Sequence, residues 1–303
     1  MGDDTSFSLY TGCLIRTRLP HLEKSARMVF DRFGLQLSEL AGASCCPDPV
    51  GMRGMDQQVW LTMAARNLAL GHNNSKPLMT LCSGCYSTFR EAQHILKTNT
   101  SLREKINHIL KPMGCEYAPG PPVEHFASFI FKEIGLDLLS SRITDTWKGL
   151  PVAVHHGCHL LRPSHIIGFD DPENPTKLEE LIRVFGADVV DYPRKMLCCG
   201  FTIQGVDADL SRQMAYEKLK LMKESGAKAL VVFCPACMIQ FDMNQRPIEQ
   251  KFDVSIDLPV FYLTEFLGLA LGLTPSSLGL NFHRVDTSSI IDEIFPGRDS
   301  APT

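Results

Sequence analysis

The chain contains no apolar run of about 18 residues, so no membrane-spanning helix is expected. It also lacks the opening of a secretory signal. The N-terminus, MGDDTSFSLY, places acidic residues where such a signal needs basic ones, and no long apolar stretch precedes the first cysteine. A cytoplasmic location is the expectation. No basic excess is present either: 30 lysines and arginines stand against 34 acidic residues, a net charge of -4, which argues against a nucleic-acid partner. The low hydrophobicity of a disordered chain is absent, with 44% hydrophobic and 21% charged residues. Nor is there a run of closely spaced C-x-x-C turns closed by Cys-Pro, so electrons must reach this chain from another one.

What the chain does have is cysteine, in register. The pair Cys198-Cys199-Gly200 is followed after 34 residues by Cys234-Pro235-Ala236-Cys237. Earlier, Cys45-Cys46-Pro47 is followed after 35 residues by Cys82-Ser83-Gly84-Cys85. A lone cysteine precedes each pair: Cys13 by 31 intervening residues and Cys158 by 39. Ten of the eleven cysteines thus form two copies of one pattern, leaving Cys115 over. In a cytoplasmic chain such cysteines read as metal ligands or redox groups rather than structural disulfides.

The surrounding elements repeat as well. Residues 6–11, 77–82, 151–154, 186–192 and 228–233 read as strands, most of them leading into a cysteine. Helical spacing runs over 21–36, 56–70 (capped by Asp56), from near Tyr86, and over 177–185 and 207–225. The closing stretches 121–135 and 258–272 share a pattern. Alternating strands and helices imply an α/β fold of two pseudo-symmetric, Rossmann-like halves. Each would hold a small, mostly parallel sheet with its five cysteines gathered at the carboxyl ends of the strands. The expected division is 1–149, 150–285 and an irregular tail over 286–303.

Five thiols per copy exceed the four that close a structural zinc site, the plainer alternative. They also exceed the four of a cubane cluster, which leaves either a spare thiol or a cluster of unusual geometry. Adjacent cysteines favour the second, because their side chains diverge along an extended backbone and reach different metal atoms more easily than one.

The order Cys, Cys-Cys-Gly, Cys-x-x-Cys, present twice over roughly residues 6–280, resembles the CCG-domain family, and within it the B-type subunits of methanogen heterodisulfide reductases. The resemblance implies one noncubane 4Fe-4S cluster on Cys13, Cys45, Cys46, Cys82 and Cys85. It implies a second on Cys158, Cys198, Cys199, Cys234 and Cys237, with a shared cleft between them. It further implies reduction of the mixed disulfide of coenzyme M and coenzyme B (CoM-S-S-CoB) to two thiols. The implied partners are a ferredoxin-like subunit, a flavin-containing subunit and, in many cases, a nickel-iron hydrogenase or formate dehydrogenase. Other CCG subunits, serving lactate, glycolate, succinate or thiol-fumarate chemistry, and a non-catalytic scaffold are the alternatives. Pro47 departs from the glycine of the motif.

A sulfonate and a phosphate on the implied substrate call for basic groups, and Arg16, Arg18, Arg53, Arg162, Arg194 and Lys195 lie near cysteines in sequence. His155, His156 and His159 surround Cys158, in packing roles or as donors to a cluster or product. Cys115 reads as a buried small side chain, and Phe126, Phe129 and Phe131 as core.

Overall fold

The computed structural model describes residues 6–73 and 76–298. Strands β1 (Ser6–Tyr10), β2 (Gln36–Glu39), β3 (Leu78–Thr80) and β4 (Glu124–His125) are followed by β5 (Pro151–His155), β6 (Asp188–Val190), β7 (Ala229–Val232) and β8 (Val260–Tyr262). They form two four-stranded, wholly parallel sheets, ordered β2-β1-β3-β4 and β6-β5-β7-β8. The central strands are short apolar runs, LMT in β3 and ALVV in β7, buried at every residue. That composition suits a parallel sheet covered on both faces.

The helices between strands close each parallel crossover. Helices Gln57–Asn73 and Ala208–Glu224 lead into β3 and β7 and start alike. The Asp56 carboxylate accepts the N–H groups of Gln58 and Val59, and that of Asp207 accepts those of Asp209 and Leu210. The stretches 121–135 and 258–272 each form a short edge strand, β4 or β8, running into a helix.

Several elements differ from the sequence reading. β2, Gln-Leu-Ser-Glu, is an exposed edge strand without apolar alternation, and only its pairing with β1, from Ser6↔Gln36 to Leu9↔Glu39, makes it a strand. The first strand ends at Tyr10 and Gly12–Arg18 is a helix, so Cys13 lies in the first turn of that helix rather than at the strand end itself. The tail is not wholly irregular: Ser288–Ile294 is a helix that buries Ile290, Ile291 and Ile294. Ser300 and Pro302, also read as tail, lie outside the described residues.

The halves share one continuous core. Helix Pro20–Arg32 packs on helix Leu263–Ala270, where the hydroxyls of Ser25 and Thr264 meet at 2.6 Å. Trp147, in the connecting segment, stacks on Phe266 at 3.9 Å and donates its ring N–H to the Phe266 carbonyl at 3.1 Å. The Tyr262 hydroxyl, at the end of β8, donates to the Leu81 carbonyl just before Cys82.

The loops carrying the paired cysteines leave in different directions. Gly200 holds φ at +86°, and a Cβ there would stand 2.9 Å from the Ser211 carbonyl oxygen and 3.1 Å from the Met214 Cβ. A proline, locked near -65°, cannot adopt that turn. In the first copy the chain passes through buried Pro47, whose carbonyl accepts the Thr88 hydroxyl at 3.2 Å, and Asp48 then accepts the N–H groups that open helix Gly51–Met55. Gly200→Ala is expected to destabilise the protein by about 1–3 kcal/mol through backbone strain and contact, read as a lower midpoint in denaturant unfolding. An unchanged midpoint would mean the loop relaxes freely.

Candidate metal centre

Every one of the ten repeated cysteines follows the carboxyl end of a strand. Cys13 comes after β1, Cys45 and Cys46 after β2, Cys82 and Cys85 after β3. Cys158 comes after β5, Cys198 and Cys199 after β6, Cys234 and Cys237 after β7. Chain order reverses between β1 and β3 and again between β5 and β7, and the crevice at such a switch is where open parallel sheets bind ligands.

The thiols form one line through the molecule. Neighbour by neighbour it runs Cys13, Cys45, Cys46, Cys85, Cys82, crosses to Cys234, and continues through Cys237, Cys199, Cys198 to Cys158. The order in the second half mirrors that in the first. Sulfur separations are 3.9 Å for Cys13–Cys45 and 3.8 Å for Cys199–Cys237, and all eleven cysteines are free thiols. These separations are far beyond a disulfide bond of about 2.05 Å. The line is buried at its centre, at Cys46, Cys82, Cys85, Cys199, Cys234 and Cys237, and open at its ends, where Cys13 and Cys45 are exposed and Cys158 and Cys198 half-buried.

So many thiols in one place cannot all ionise without a cation. Hydrogen bonds from Cys45 and Cys85 lower the Cys46 pKa to about 5, and those from Cys158 and Cys199 lower that of Cys198 strongly. Their neighbours are pushed up: Cys85 by its hydrogen bonds to Cys46 and Cys82, and Cys199, to about 12, by its hydrogen bond to Cys198. Metal ions remove this conflict, because thiolate is the ligating form.

The donor set fits iron-sulfur clusters. Two groups of five thiols are present without a disulfide, and the surroundings supply donors. Both ring nitrogens of buried His155 lack a hydrogen-bond partner among the described residues, and a ring nitrogen lies within 4.8 Å of the Cys199 and Cys237 sulfurs. A sulfide acceptor held by those cysteines would satisfy it. Burial keeps His155 and His156 neutral, the latter at about 4, and His156 stands 3.8 Å from Glu179.

The two groups differ in one buried charge. Asn67 and Lys218 occupy corresponding places on the helices before β3 and β7, each eleven residues beyond its capping aspartate. Asn67 accepts the Ser44 N–H at 2.9 Å and donates to the Cys45 carbonyl at 3.1 Å. Lys218 donates to the carbonyls of Lys195 and Leu197, both at 2.6 Å, and its ammonium lies over the Tyr192 ring. Both side chains pin the loop before the cysteine pair, but only the second brings a cation. Burial lowers the Lys218 pKa to about 8, opposed by the surrounding thiols of Cys237, Cys199, Cys158 and Cys198. Sequence reading missed this residue, whose only signal was its register against Asn67.

A cavity of about 190 Å³ lies between the halves. It is lined by Cys13, Cys45, Cys46, Cys82, Cys85 and Cys234, by apolar Leu14, Pro49, Phe201 and Pro235, and by His159. None of the six basic candidates lines it. Arg16 lines an adjoining pocket with Cys13 and Cys45, where its guanidinium pairs with Glu39. Arg53 pairs with Glu91, Arg162 with Glu173, and Lys195 with Glu179 and Asp191. Cys115 is half-buried, its thiol 3.6 Å from the Met113 carbonyl and remote from the line in sequence and contact. Phe126 and Phe129 are core as expected, and Phe131 packs edge-on against Phe169.

No helix among the described residues is long and apolar enough to cross a membrane. The B-type subunit of a ferredoxin:CoB-CoM heterodisulfide reductase from Methanosarcina mazei is 35% identical, covering 95% of this chain and 96% of that protein. A protein from Archaeoglobus profundus, named for its likeness to the same heterodisulfide reductase subunit, is 35% identical over 90% of this chain and 92% of its own. The membrane anchor of an 8-methylmenaquinol:fumarate reductase from Wolinella succinogenes is 28% identical over 94% and 98%. Among solved structures, a hypothetical protein from Helicobacter pylori superposes with a TM-score of 0.78 at 14% identity over 93% of this chain. The chain spans about half of that protein, 52%, and the likeness is one of fold. A cysteine-rich domain model, CCG, matches residues 7–90 and 152–242, so the two cysteine sets each fall within a copy of it, and the chain belongs to the CCG cysteine-rich family.

Proposed function

We propose that this chain is the disulfide-reducing subunit of a heterodisulfide reductase, taking CoM-S-S-CoB as substrate and electrons from a ferredoxin-like partner. A flavin-containing partner would stand further upstream. The carrying observation is the mirrored line of thiols, which crosses between the halves at Cys82 and Cys234 beside a cavity large enough for a disulfide group. In this reading Cys13, Cys45, Cys46, Cys82 and Cys85 hold one noncubane 4Fe-4S cluster, and Cys158, Cys198, Cys199, Cys234 and Cys237 the other. When bound, the two clusters supply the two electrons that cleavage of one S–S bond requires.

The protein's own side chains do the rest. Leu14, Pro49, Phe201 and Pro235 surround the disulfide with apolar surface. His159 is the imidazole on the lining and would give a proton to one departing thiolate, the second of the two protons that convert the disulfide to two thiols coming from solvent. Arg16, in the adjoining pocket, is the cation best placed for an anionic end of the substrate. Lys218 makes the second site the more electropositive of the two.

A second reading has one observation in its favour. The cavity lining carries no arginine or lysine, which suits an apolar donor such as a quinol better than a sulfonate or phosphate. The relative from Wolinella succinogenes, by its name, works with a methylmenaquinol.

Anaerobic protein is expected to contain about eight irons per chain and to develop a new electron paramagnetic resonance signal when coenzyme M is added to the oxidised form. Cys199→Ala should retain about four irons and lose heterodisulfide reduction. Zinc in place of iron would sink the reading, as would full turnover in that variant, and eight irons without a thiol response would favour the quinol. A separate expectation concerns Lys218→Gln. Potentiometric titration should show one cluster shifted down by on the order of 100–200 mV, the effect of a buried charge a few ångströms away at an effective dielectric of about 20, and the other unmoved. Equal shifts in both would remove the assigned asymmetry.

A further inference from the structure

Away from the cysteines, three titratable side chains from distant parts of the chain meet where the halves join. His21 lies in the first turn of helix Pro20–Arg32, Glu265 in the first turn of helix Leu263–Ala270, and His283 just after the turn Leu280–Phe282. Their side chains are 2%, 0% and 1% exposed. Glu265 divides its carboxylate. One oxygen, Oε2, accepts the Tyr262 N–H at 2.8 Å, while Oε1 faces the His283 Nε2 at 3.1 Å and the His21 Nε2 at 3.6 Å. All three facing atoms lie within 4.8 Å of one another.

Hydrogen bonding alone does not account for the trio. A proton between Glu265 and His283 joins that pair, but neither ring nitrogen of His21, nor the Nδ1 of His283, has a hydrogen-bond partner among the described residues. An imidazole buried with both nitrogens unpartnered is costly. Its Nε2 nevertheless faces a carboxylate oxygen already used by a second imidazole, which is the arrangement of ligands around a shared cation.

We propose that His21, Glu265 and His283 form a divalent-metal site, suited to zinc, that ties the N-terminal helix to the C-terminal end of the chain. The spacing fits. Donors about 2.0–2.2 Å from a tetrahedral ion lie about 3.3–3.6 Å apart, close to the 3.1 and 3.6 Å that separate the two imidazoles from Glu265. Two imidazoles and one carboxylate are an ordinary zinc set, and the three protein donors leave the fourth position to a solvent molecule.

The surroundings hold the ligands. Phe282, 59% exposed, stacks on the His21 ring at a centroid distance of 5.4 Å and is the layer between that ring and solvent on this side. Gly279, at φ +83°, lets the loop descend on His21, where a Cβ would stand 2.5 Å from the His21 Cβ. The Asp242 carboxylate accepts the N–H groups of Arg284 and Val285 at 3.0–3.1 Å and so fixes the backbone beside His283.

The test uses the full chain, purified anaerobically with its iron and desalted, and zinc as the probe. About one zinc per chain is expected, with X-ray absorption showing nitrogen and oxygen neighbours at about 2.0–2.2 Å and no sulfur at about 2.3 Å. His283→Gln should release that zinc and leave the iron content unchanged. Because the variant can fail to fold, zinc is also titrated into chelator-treated wild-type protein, where saturable binding with a rise in melting temperature is expected. Sulfur neighbours would assign the zinc to the cysteines and overturn the proposal. Absence of zinc together with no binding on titration, or full retention by His283→Gln, would overturn it equally and leave the trio a hydrogen-bonded ion pair.

Discussion

A parallel sheet gathers the loops that follow its strands at one edge, and that constraint puts the chemistry of this protein where it is. Both sheets turn their carboxyl ends toward the join between the halves, and ten cysteines follow strands at those ends. Once there, the thiols are close enough to control one another. Ionising one suppresses ionisation of the next, so Cys46 and Cys198 become acidic while their neighbours do not. The polar groups around the line follow from the same crowding. The Tyr10 hydroxyl anchors the loop before Cys45 through the Ser44 carbonyl, and Asn67 and Lys218 anchor the backbone before each pair.

Duplication supplies two equal ligand sets, but the halves have not kept equal surroundings. Pro47 and Gly200 send the chain away from the cysteine pair along different paths, because one cannot take the left-handed backbone that the other requires. Asn67 and Lys218 perform the same anchoring with different charge. Two sites with the same thiols and unequal fields around them can differ in affinity for electrons without differing in ligands.

Much of the frame was legible. The run KALVVF reads as a strand and is β7, trimmed to Ala229–Val232, and the cysteine spacing alone marks both halves. Elements set by their partners were not legible. Gln36–Glu39 has no strand pattern of its own and is ordered by hydrogen bonds to β1. The helix Ser288–Ile294 is short and sits in a segment whose proline, glycine and serine suggested irregularity, yet three isoleucines find the core. Basic residues were legible only as candidates. Nearness in sequence to a cysteine says nothing about which acid a side chain meets in the fold, and Arg53, Arg162 and Lys195 are engaged by Glu91, Glu173 and Glu179.

The sequence by itself determined the repeat, the α/β class and the identity of ten thiols, because these depend on residue type and spacing along the chain. Only the tertiary structure decided that the two sets join at Cys82 and Cys234, that a lysine attends one set alone, and that His21 lies against Glu265 and His283. Those relations span as many as 262 positions, from His21 to His283. They arise from how the two halves pack, and periodicity along a chain carries no information about which of its faces will meet.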